Sequence, residues 1–526
     1  MRRQSPPSWT FWSTTLLLTS LTTPTPTTAF HTSDTHPLLP RQLEPDTFDW
    51  STITPTPSLQ YHPCYNNTFR CARLQVPLDW TRPETAAAGP HAALAIITLP
   101  ATVPVTDPAL RRARADQRRG AGPAPTPSGR ACLGRGCRGS LIRPGCGTMI
   151  WSASIRAACG GPRRPRGVAE LCETAAGGED SVFNHMSTAS VARDMLEVVE
   201  RSHELLVRER NGTGKVCGGG DKPKLQYWGI SYGSILGSTF ASMFPDRVGR
   251  MVVDGIADAE DFNLGQRAKN INDAEDAVDA LYSTCFNAGE LCPLYQTTDT
   301  SAASIRARVD ALIQDLEENP VPAIHNGRVY LVTSLFVREE IRQSLYAPIL
   351  KFESLSRSLA GALAGNFSLI LSNPAVLGTD TRPGVCTEPP FTSLSTAFTN
   401  QFEANLGIAC GDSQALAGDR TDPAWAAATV ARVTNQAPLL ILSSRTDHVT
   451  PLANAYHLSS LHGGSAVVVQ ESVGHAAQMS AVSECTRELV RAYFRTGEVP
   501  RNGTVCEADC RAQIPFRGCE GMPPAV

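Results

Sequence analysis

The sequence predicts an α/β fold, in which a mostly parallel sheet is flanked by helices and interrupted by a helical cap insertion. Two observations support this prediction. Short apolar runs typical of buried strands alternate with segments of helical spacing in residues 224–256 and again in residues 437–497. Between these regions the chain is mainly helical in pattern, as expected when a cap interrupts one α/β core.

The length of 526 residues allows one large domain with an insertion, or two domains. The order of the patterns favours one core with an insertion, and we divide the chain into five segments. These are a signal peptide at 1–29, a flexible Thr/Pro-rich leader at 30–60, the first part of the core at 61–261, the helical cap at 262–425 and the C-terminal part of the core at 426–526.

The N-terminus has the pattern of a secretory signal. A short positive region, residues 1–3, precedes the mostly apolar residues 9–21, and small residues follow up to Ala29. The alternative is a single membrane anchor, but that needs about 20 apolar residues and this run is shorter. We therefore expect a secreted protein that is free of the membrane after signal cleavage.

Cysteines and sequons agree with an extracellular location. The chain has 16 cysteines, none with the paired CxxC spacing of a zinc site, and such a number favours disulfides in an oxidising compartment. Cys64/Cys71 and Cys285/Cys292 are candidate local pairs. Four Asn-x-Ser/Thr sequons offer glycosylation sites, at Asn66, Asn211, Asn366 and Asn502.

In the first part of the core, apolar residues alternate or cluster as in strands from Cys71 ("CARLQVPLDW") and from His91 ("HAALAIITLPA"). Residues 182–208 have helical spacing, with Ser187 or Thr188 as the N-cap. The next predicted elements are a strand at 224–230, a small-residue helix at 233–244 and a strand at 250–256.

Amphipathic spacing predicts the helices of the cap, at residues 274–286, 301–318 and 334–365. Strand patterns then return. The last predicted elements are a strand at 437–444, a helix at 451–461, a strand at 465–470 and a helix at 483–497.

The motif Gly229-Ile230-Ser231-Tyr232-Gly233 lies between a predicted strand and a predicted helix. In that context G-x-S-x-G is typical of a nucleophile elbow, a sharp turn that lifts the serine Oγ out of the sheet. Gly229 and Gly233 suit this turn because side chains beside it would clash. We predict that Ser231 is the nucleophile and that the backbone N–H of Tyr232 is an oxyanion donor. The alternative is a small-residue turn that only packs a helix on a strand.

A serine nucleophile needs a base, and the base needs an orienting group. Asp447 and His475 each follow a predicted strand, and the two loops converge if these strands lie in one parallel sheet. We therefore predict Asp447 as the acid and His475 as the general base. Asp254 is the alternative acid. His448 and His457 are alternative bases, but they lie beside or inside a helix.

From Cys71 to about Cys506 the sequence resembles the secreted tripeptidyl aminopeptidase-like branch of the α/β-hydrolase family, which is related to prolyl aminopeptidases. The matching stretches are "CARLQVPLDW", "STASVARDM", "YWGISYGSILGSTFASMFPDRVGRMVVDGI", "IACGDS" and "PLLILSSRTDHVTPLANAYHLSSLHGGSAVVVQESVGHAA". This resemblance implies an α/β-hydrolase fold, and it assigns the family's nucleophile, acid and histidine to Ser231, Asp447 and His475.

The resemblance also implies hydrolysis of peptide or related acyl bonds, with a helical cap that selects a free peptide N-terminus. Acidic cap residues such as Glu339 or Glu340 are candidate ligands of that ammonium group. No metal or cofactor is implied. An esterase acting on small or lipid esters remains the alternative enzyme, since the same triad serves both reactions. The net charge of −3 gives no indication of a nucleic-acid partner.

One segment is foreign to the rest of the chain. Residues 111–166 contain 13 Arg and a single acid, Asp116; outside them 34 of the 47 basic and 49 of the 50 acidic residues remain, a net charge of −15. In this region the family carries the loop N-P-G-G-P-G, which supplies the second oxyanion N–H, and a strand that ends in D-P-R-G. The sequence contains neither.

Shifting the reading frame restores patterns close to both. Back-translated "TMIWSASIRAACG", read two bases later, allows D-D-L-V-G-F-D-P-R-G-V-R, and the stretch from Asp116, read one base later, allows T-N-G-G-G-P-G. The two segments need different frames. We hypothesise that residues 110–167 are a wrong-frame translation or a disordered segment. If they are genuine, the site lacks an oxyanion donor worth about 2.7–4 kcal/mol and the protein is catalytically impaired.

Overall fold

Five parallel strands form the sheet on which the candidate site lies. The structure is a computed structural model that describes residues 48–81, 89–99, 151–152, 185–209, 222–263, 268–373, 376, 412 and 438–509. Its strands are β1 (His62–Cys64), β2 (Phe69–Pro77), β3 (His91–Thr98), β4 (Trp151–Ser152), β5 (Leu225–Ile230), β6 (Val248–Asp254), β7 (Val321–His325), β8 (Arg328–Val332), β9 (Leu439–Thr446), β10 (Ala466–Val473) and β11 (Thr504–Glu507).

Eleven α-helices lie in the described residues. They are α1 (Thr188–Glu209), α2 (Tyr232–Met243), α3 (Ala259–Asn263), α4 (Ala274–Ala288), α5 (Ala302–Glu318), α6 (Ser334–Ser344), α7 (Pro348–Leu363), α8 (Ser368–Leu371), α9 (Leu452–Leu461), α10 (Ala477–Ser480) and α11 (Glu484–Thr496). Short 3-10 turns occur at Trp50–Thr52, Pro245–Arg247, Ala268–Ile271 and Gly289–Leu291.

The parallel sheet has the strand order β11-β10-β9-β6-β5. Its inner strands β6, β9 and β10 contain buried apolar runs because both of their faces are covered. Along β6, Met251 and Val253 pack on one face with α1, α2 and α9, whereas Val252 packs on the opposite face with α10 and α11. The structure confirms the predicted strands and helices of both core segments and adds the edge strand β11, which the sequence analysis missed.

A second sheet, of four antiparallel strands in the order β1-β2-β3-β4, is formed by the N-terminal part of the core. The Cys64–Cys71 disulfide joins β1 to β2, as predicted. Residues 48–60 differ from the flexible leader that the sequence predicted. Ile53 and Leu59 are buried, because they provide apolar contacts for this sheet and so are held in place.

The cap has its own apolar core, formed by α4–α8 together with the hairpin β7–β8. The Cys285–Cys292 disulfide lies at the end of α4, as predicted. The hairpin was not predicted, although its turn, Asn326-Gly327, has positive φ at both residues and is a strong sequence signal for a two-residue hairpin. The single helix predicted at 334–365 is two helices, because Pro348 cannot continue α6 and begins α7.

Several predictions fall outside the described residues: the signal peptide, the sequon at Asn211 and nearly all of residues 110–167. Of that last segment the structure describes only β4, which pairs with β3. Asn66, Asn366 and Asn502 are exposed, and their glycosylation stays a prediction. Within the described part of the chain, no helix is both long and apolar enough to cross a membrane.

Candidate active site

Ser231 lies in the turn between β5 and α2, where the chain reverses direction within one residue. Its backbone has φ 59° and ψ −122°, a conformation that costs a non-glycine residue about 1–3 kcal/mol. The backbone N–H of Ser231 donates to the carbonyl oxygen of Asp254, at the end of the neighbouring strand β6, at 2.9 Å. Ser231 as a whole is half-buried.

The glycines of the motif allow the turn to pack on one buried side chain, Tyr227. A Cβ at Gly229 would collide with the carbonyl oxygen of Gly233 and with the Tyr227 ring. The Tyr227 hydroxyl donates to that same carbonyl of Gly233 at 2.7 Å. The elbow geometry therefore depends on the absence of a side chain at Gly229, as the motif predicts.

Tyr232 is the first residue of α2, so its N–H belongs to the first helical turn, where the helix itself offers no acceptor. Its hydroxyl is hydrogen-bonded to Thr188 Oγ1 at 2.7 Å. Thr188 in turn donates through its backbone N–H and its hydroxyl to the buried carboxylate of Asp412. This chain of contacts fixes the residue whose N–H is the candidate oxyanion donor. Burial raises the pKa of Asp412 to about 7, although the bonds from Thr188 favour its charged form.

Asp447 follows β9 directly, and His475 lies two residues beyond β10, the adjacent parallel strand. The structure brings the two side chains together. Nδ1 of His475 is 3.2 Å from Oδ1 and 3.1 Å from Oδ2 of Asp447, and both residues are buried. A proton on Nδ1 leaves Nε2 as an acceptor, and Nε2 is buried without a hydrogen-bond partner among the described residues.

The Asp447 carboxylate accepts further hydrogen bonds from its surroundings. The donors are the backbone N–H groups of Val449, Thr450 and Ala476 and the Thr450 hydroxyl, at 2.6–3.0 Å. Burial alone would raise the pKa of Asp447, but the facing His475 and these hydrogen bonds outweigh it and lower the pKa. Asp447 is thus held in its charged form, which suits it to orient the imidazole and to stabilise an imidazolium.

The alternative acid and bases occupy other roles. The carboxylate of Asp254 accepts from the backbone N–H groups of Ala477 and Gln478, and it is Asp447 that bonds to the His475 ring. His448 is buried, which lowers its pKa to about 4, and its ring packs against Tyr346. His457 is hydrogen-bonded through Nδ1 to Asp258 at 2.9 Å.

The cap contacts the histidine loop at the break between α6 and α7. The backbone N–H of His475 donates to the carbonyl oxygen of Tyr346 at 3.2 Å, and the two rings meet edge to face with centroids 5.2 Å apart. Gly474, with φ +123°, lies so close to Pro348 that a Cβ would be 2.5 Å from the proline ring. The loop that carries His475 is therefore held from the cap side as well as from the sheet.

Glu339 and Glu340, the candidate ligands of a peptide ammonium, both have partners within the cap. Glu339 forms an ion pair with Arg342 and accepts from Gln343. Glu340 is buried and accepts from Asn373 at 2.6 Å. Arg342, the ion-pair partner of Glu339, also lies over the Tyr346 ring beside His475, at 5.8 Å.

Sequence reasoning missed three contributions to this site: the support of His475 by Tyr346, the bonds from Thr450 to Asp447, and the link from Asp412 through Thr188 to Tyr232. Only the break at Pro348 offered a local signal, since a proline after a helical pattern predicts a new helix start. The predicted absence of the second oxyanion donor concerns residues outside the described ranges.

Comparison with known proteins gives a family match for the C-terminal part of the chain. Residues 400–506, which include Asp447 and His475, match the family model described as TAP-like protein. The tripeptidyl aminopeptidase of Streptomyces lividans is 24% identical over 356 residues, covering 61% of this chain and 58% of that protein. The serine protease Hip1 of Mycobacterium bovis is 33% identical over 98 residues, covering 18% of each chain.

This chain thus spans less than two thirds of the length of the tripeptidyl aminopeptidase that it matches. Among solved structures, the meta-cleavage product hydrolase of Pseudomonas fluorescens is similar at 14% identity with a TM-score of 0.21, covering 52% of this chain and 63% of that one. The parallel strand order and the elbow turn are those of an α/β-hydrolase fold, and the C-terminal part of the chain is similar to TAP-like proteins.

Proposed function

We propose, from the match of residues 400–506 to the TAP-like family model, that the protein is a secreted serine exopeptidase. It releases short peptides or single residues from the N-termini of peptides through an acyl-enzyme. Ser231 is the nucleophile, His475 the general base and then acid, and Asp447 the orienting carboxylate. The observation that carries the proposal is the pairing of His475 with Asp447 at the ends of two adjacent strands, in the sheet whose β5 ends at the Ser231 elbow.

The proposed chemistry is that of acyl transfer. Ser231 Oγ attacks the carbonyl carbon of the scissile bond while Nε2 of His475 takes its proton. The imidazolium then gives that proton to the leaving amine as the carbon–nitrogen bond breaks. Water, deprotonated by the same nitrogen, hydrolyses the ester at Ser231 and regenerates the serine hydroxyl. The Tyr232 N–H stabilises the oxyanion in both steps.

Two features favour a peptide substrate with a free N-terminus. The relatives at low identity are named tripeptidyl aminopeptidase and serine protease. In this chain, an acidic residue of the cap, Glu339, lies one helical turn from Arg342, which contacts the ring beside His475. A substrate ammonium that enters this position would replace Arg342 as the partner of the Glu339 carboxylate.

A fluorophosphonate probe, which reacts with activated serines, tests the nucleophile. We expect labelling of the wild-type protein at Ser231 and none of Ser231→Ala. Absence of labelling in a folded wild-type protein would refute the proposal of a live serine hydrolase.

Substrate class is tested with matched chromogenic substrates. We expect turnover of a tripeptidyl p-nitroanilide with a free amino group. Acetylation of that amino group should abolish most of the turnover. Equal turnover of the free and the acetylated substrate would contradict the exopeptidase proposal, but the protein would still be a peptidase. Turnover of p-nitrophenyl esters alone would replace the peptidase proposal with an esterase.

The frame hypothesis for residues 110–167 has its own test, which is to sequence the transcript across codons 100–175. We expect the reads to restore a Gly/Pro-rich loop and a D-P-R-G turn. β5 is the edge strand of the described sheet, and the family's next strand would add beside it. If the reads confirm the sequence as printed, the frame hypothesis fails and impaired catalysis becomes the expectation.

A further inference from the structure

Two buried carboxylates hold the segment that carries the candidate general base. Asp447 accepts from Nδ1 of His475 and from the backbone N–H of Ala476, the latter at 2.7 Å. Asp254 accepts from the next two backbone N–H groups, Ala477 at 2.7 Å and Gln478 at 2.9 Å. Four consecutive residues therefore donate to only two acceptor groups.

The backbone of this segment is strained in the way that such a clamp requires. Ala476 has φ 59° and ψ 153°, a conformation that residues with a side chain rarely adopt and that persists only when the surroundings impose it. This conformation directs the N–H groups on either side of it toward Asp447 and Asp254. The strain is thus offset by hydrogen bonds to charged groups, which are the stronger ones.

The end of β6 is shaped to receive the loop. Gly255 has φ +65°, and a Cβ there would lie 2.9 Å from the Cβ of Ala476 and 3.1 Å from Thr450 Oγ1. The same residue, Asp254, accepts the backbone N–H of Ser231 through its carbonyl oxygen at 2.9 Å. Asp254 therefore touches the nucleophile turn with its backbone and the histidine loop with its side chain.

We propose that Asp254 is a positioning residue, whose ionised carboxylate sets the place of His475 relative to Ser231, and that its protonation releases the histidine loop. This inference rests on the proposed function for its kinetic consequence. A protonated carboxyl group carries an O–H on one of its two oxygens, and that oxygen is a weaker acceptor than a carboxylate oxygen, so the bond from one of the two N–H groups weakens. A buried N–H with a poor acceptor is costly, and the loop moves to satisfy it.

The hydrogen bonds from Ala477 and Gln478 depend on the protonation state of Asp254, and so on pH. Burial raises the pKa of Asp254 to about 6, although the N–H groups of Gln478 and Ala477 favour its charged form. Two titratable groups act on it, both from the loops that face the end of β6. A charged His475 favours ionisation of Asp254, and Asp447 opposes it. The clamp is accordingly complete above about pH 6 and incomplete below it.

Asp254→Asn tests the proposal, because the amide has the size of the protonated carboxyl group and, like it, carries a hydrogen-bond donor on one of its two terminal atoms. The quantity to measure is the ratio of kcat/KM between the wild-type protein and this variant, from pH 5 to pH 8. We expect a ratio of about 10² at pH 8, as for a displacement of catalytic groups by about 1 Å, and a ratio that falls toward one at pH 5.

Two kinetic outcomes would overturn the proposal. A ratio that is the same at every pH indicates that Asp254 contributes only packing or folding. Equal kcat/KM values at pH 8, with a shifted midpoint, indicate that Asp254 acts on His475 through its charge alone and does not position it. Asp258→Asn is the matched control, since Asp258 is another buried carboxylate of the same segment that bonds instead to His457 and Lys269. Its profile should have the wild-type shape.

Hydrogen–deuterium exchange provides a readout that needs no activity. We expect the amides of Ala477 and Gln478 to lose protection at pH 8 in Asp254→Asn and to keep it in Asp258→Asn. If the wild-type protein neither reacts with the fluorophosphonate nor turns over substrate, the proposed function fails, while this exchange comparison still decides whether Asp254 holds the loop. Unchanged protection in Asp254→Asn would refute the positioning role.

Discussion

The backbone N–H of His475 donates to the carbonyl oxygen of Tyr346, at 3.2 Å, across the boundary between the core and the cap. The Tyr346 ring also meets the ring of His475 edge to face, with centroids 5.2 Å apart, and that of His448 at 4.7 Å. The candidate base is therefore supported by a residue of the cap, the part of the chain proposed to select substrate. A cap movement that shifts Tyr346 would also displace His475.

Tyr346→Ala should impair catalysis more than substrate binding. The carbonyl remains, but two aromatic contacts are lost, each worth about 0.5–1.5 kcal/mol. We expect a lower kcat with a smaller change in KM for a small p-nitrophenyl ester. Tyr346→Phe keeps the ring and loses only the weak contact of the hydroxyl with Arg342 at 3.4 Å, so it should retain kcat. A similar loss in both variants would mean that the hydroxyl, and not the ring, matters.

The conformation of Ser231 in the elbow should lower the free energy of unfolding of the protein. Its positive φ costs about 1–3 kcal/mol, which glycine avoids at an entropic cost of about 0.4–1 kcal/mol. We expect Ser231→Gly to have a higher Tm than wild type, and Ser231→Ala to have no such gain because alanine keeps the strain. Both should be unlabelled by a fluorophosphonate. A lower Tm for Ser231→Gly than for Ser231→Ala would contradict the strain argument.

Asp447→Asn should leave the fold intact and remove most of the activity. An amide in place of the carboxylate orients the wrong tautomer of the imidazole, a change that lowers kcat by about 10⁴-fold in a serine triad. The measurement is kcat for the wild-type protein and the variant at pH 8, with circular dichroism to verify folding. Retention of activity in Asp447→Asn would mean that another carboxylate orients His475.

The contributions of Asp447 and Asp254 to the free energy of unfolding should depend on pH in opposite ways. The lowered pKa of Asp447 means that its contribution is present above its unfolded pKa of about 3.9 and is lost as the pH falls through its folded pKa. The raised pKa of Asp254, about 6, means that its contribution is present below about pH 3.9 and is lost as the pH rises to about 6.

Chemical denaturation from pH 4 to pH 7 can isolate the Asp254 contribution. Over this range the free energy of unfolding of the wild-type protein should fall by up to about 3 kcal/mol relative to that of Asp254→Asn. The comparison between the two proteins removes the effects of other titrating groups such as His448. Parallel curves would show that Asp254 does not titrate in this range.

Gly229→Ala should disrupt the elbow. The added Cβ meets the carbonyl oxygen of Gly233 and the Tyr227 ring, both of which are held by a hydrogen bond between them. We expect a loss of about 1–3 kcal/mol in the free energy of unfolding, as for an overpacked site, together with loss of probe labelling. Gly463→Ala is the matched control, because a Cβ there meets nothing within 4 Å, and its stability should change by less than about 0.5 kcal/mol.

By itself the sequence determined the local structure of this protein. The apolar runs of β5, β6, β9 and β10 predicted buried strands, since a strand covered on both faces has few polar positions. The glycines of the motif predicted the turn at Ser231, because few other residues fit beside it. Local signals also existed for the hairpin at Asn326-Gly327 and for the helix start at Pro348, and these were missed.

Only the tertiary structure decided which polar groups meet. Asp254 and Asp447 both follow strands, and nothing in their immediate neighbours distinguishes an acid that orients His475 from one that clamps its loop. The strand order β10-β9-β6-β5 makes that distinction, since it places Asp447 beside the imidazole and Asp254 between the histidine loop and Ser231. Contacts between residues more than 200 positions apart depend on how strands associate, and a linear pattern does not specify that order.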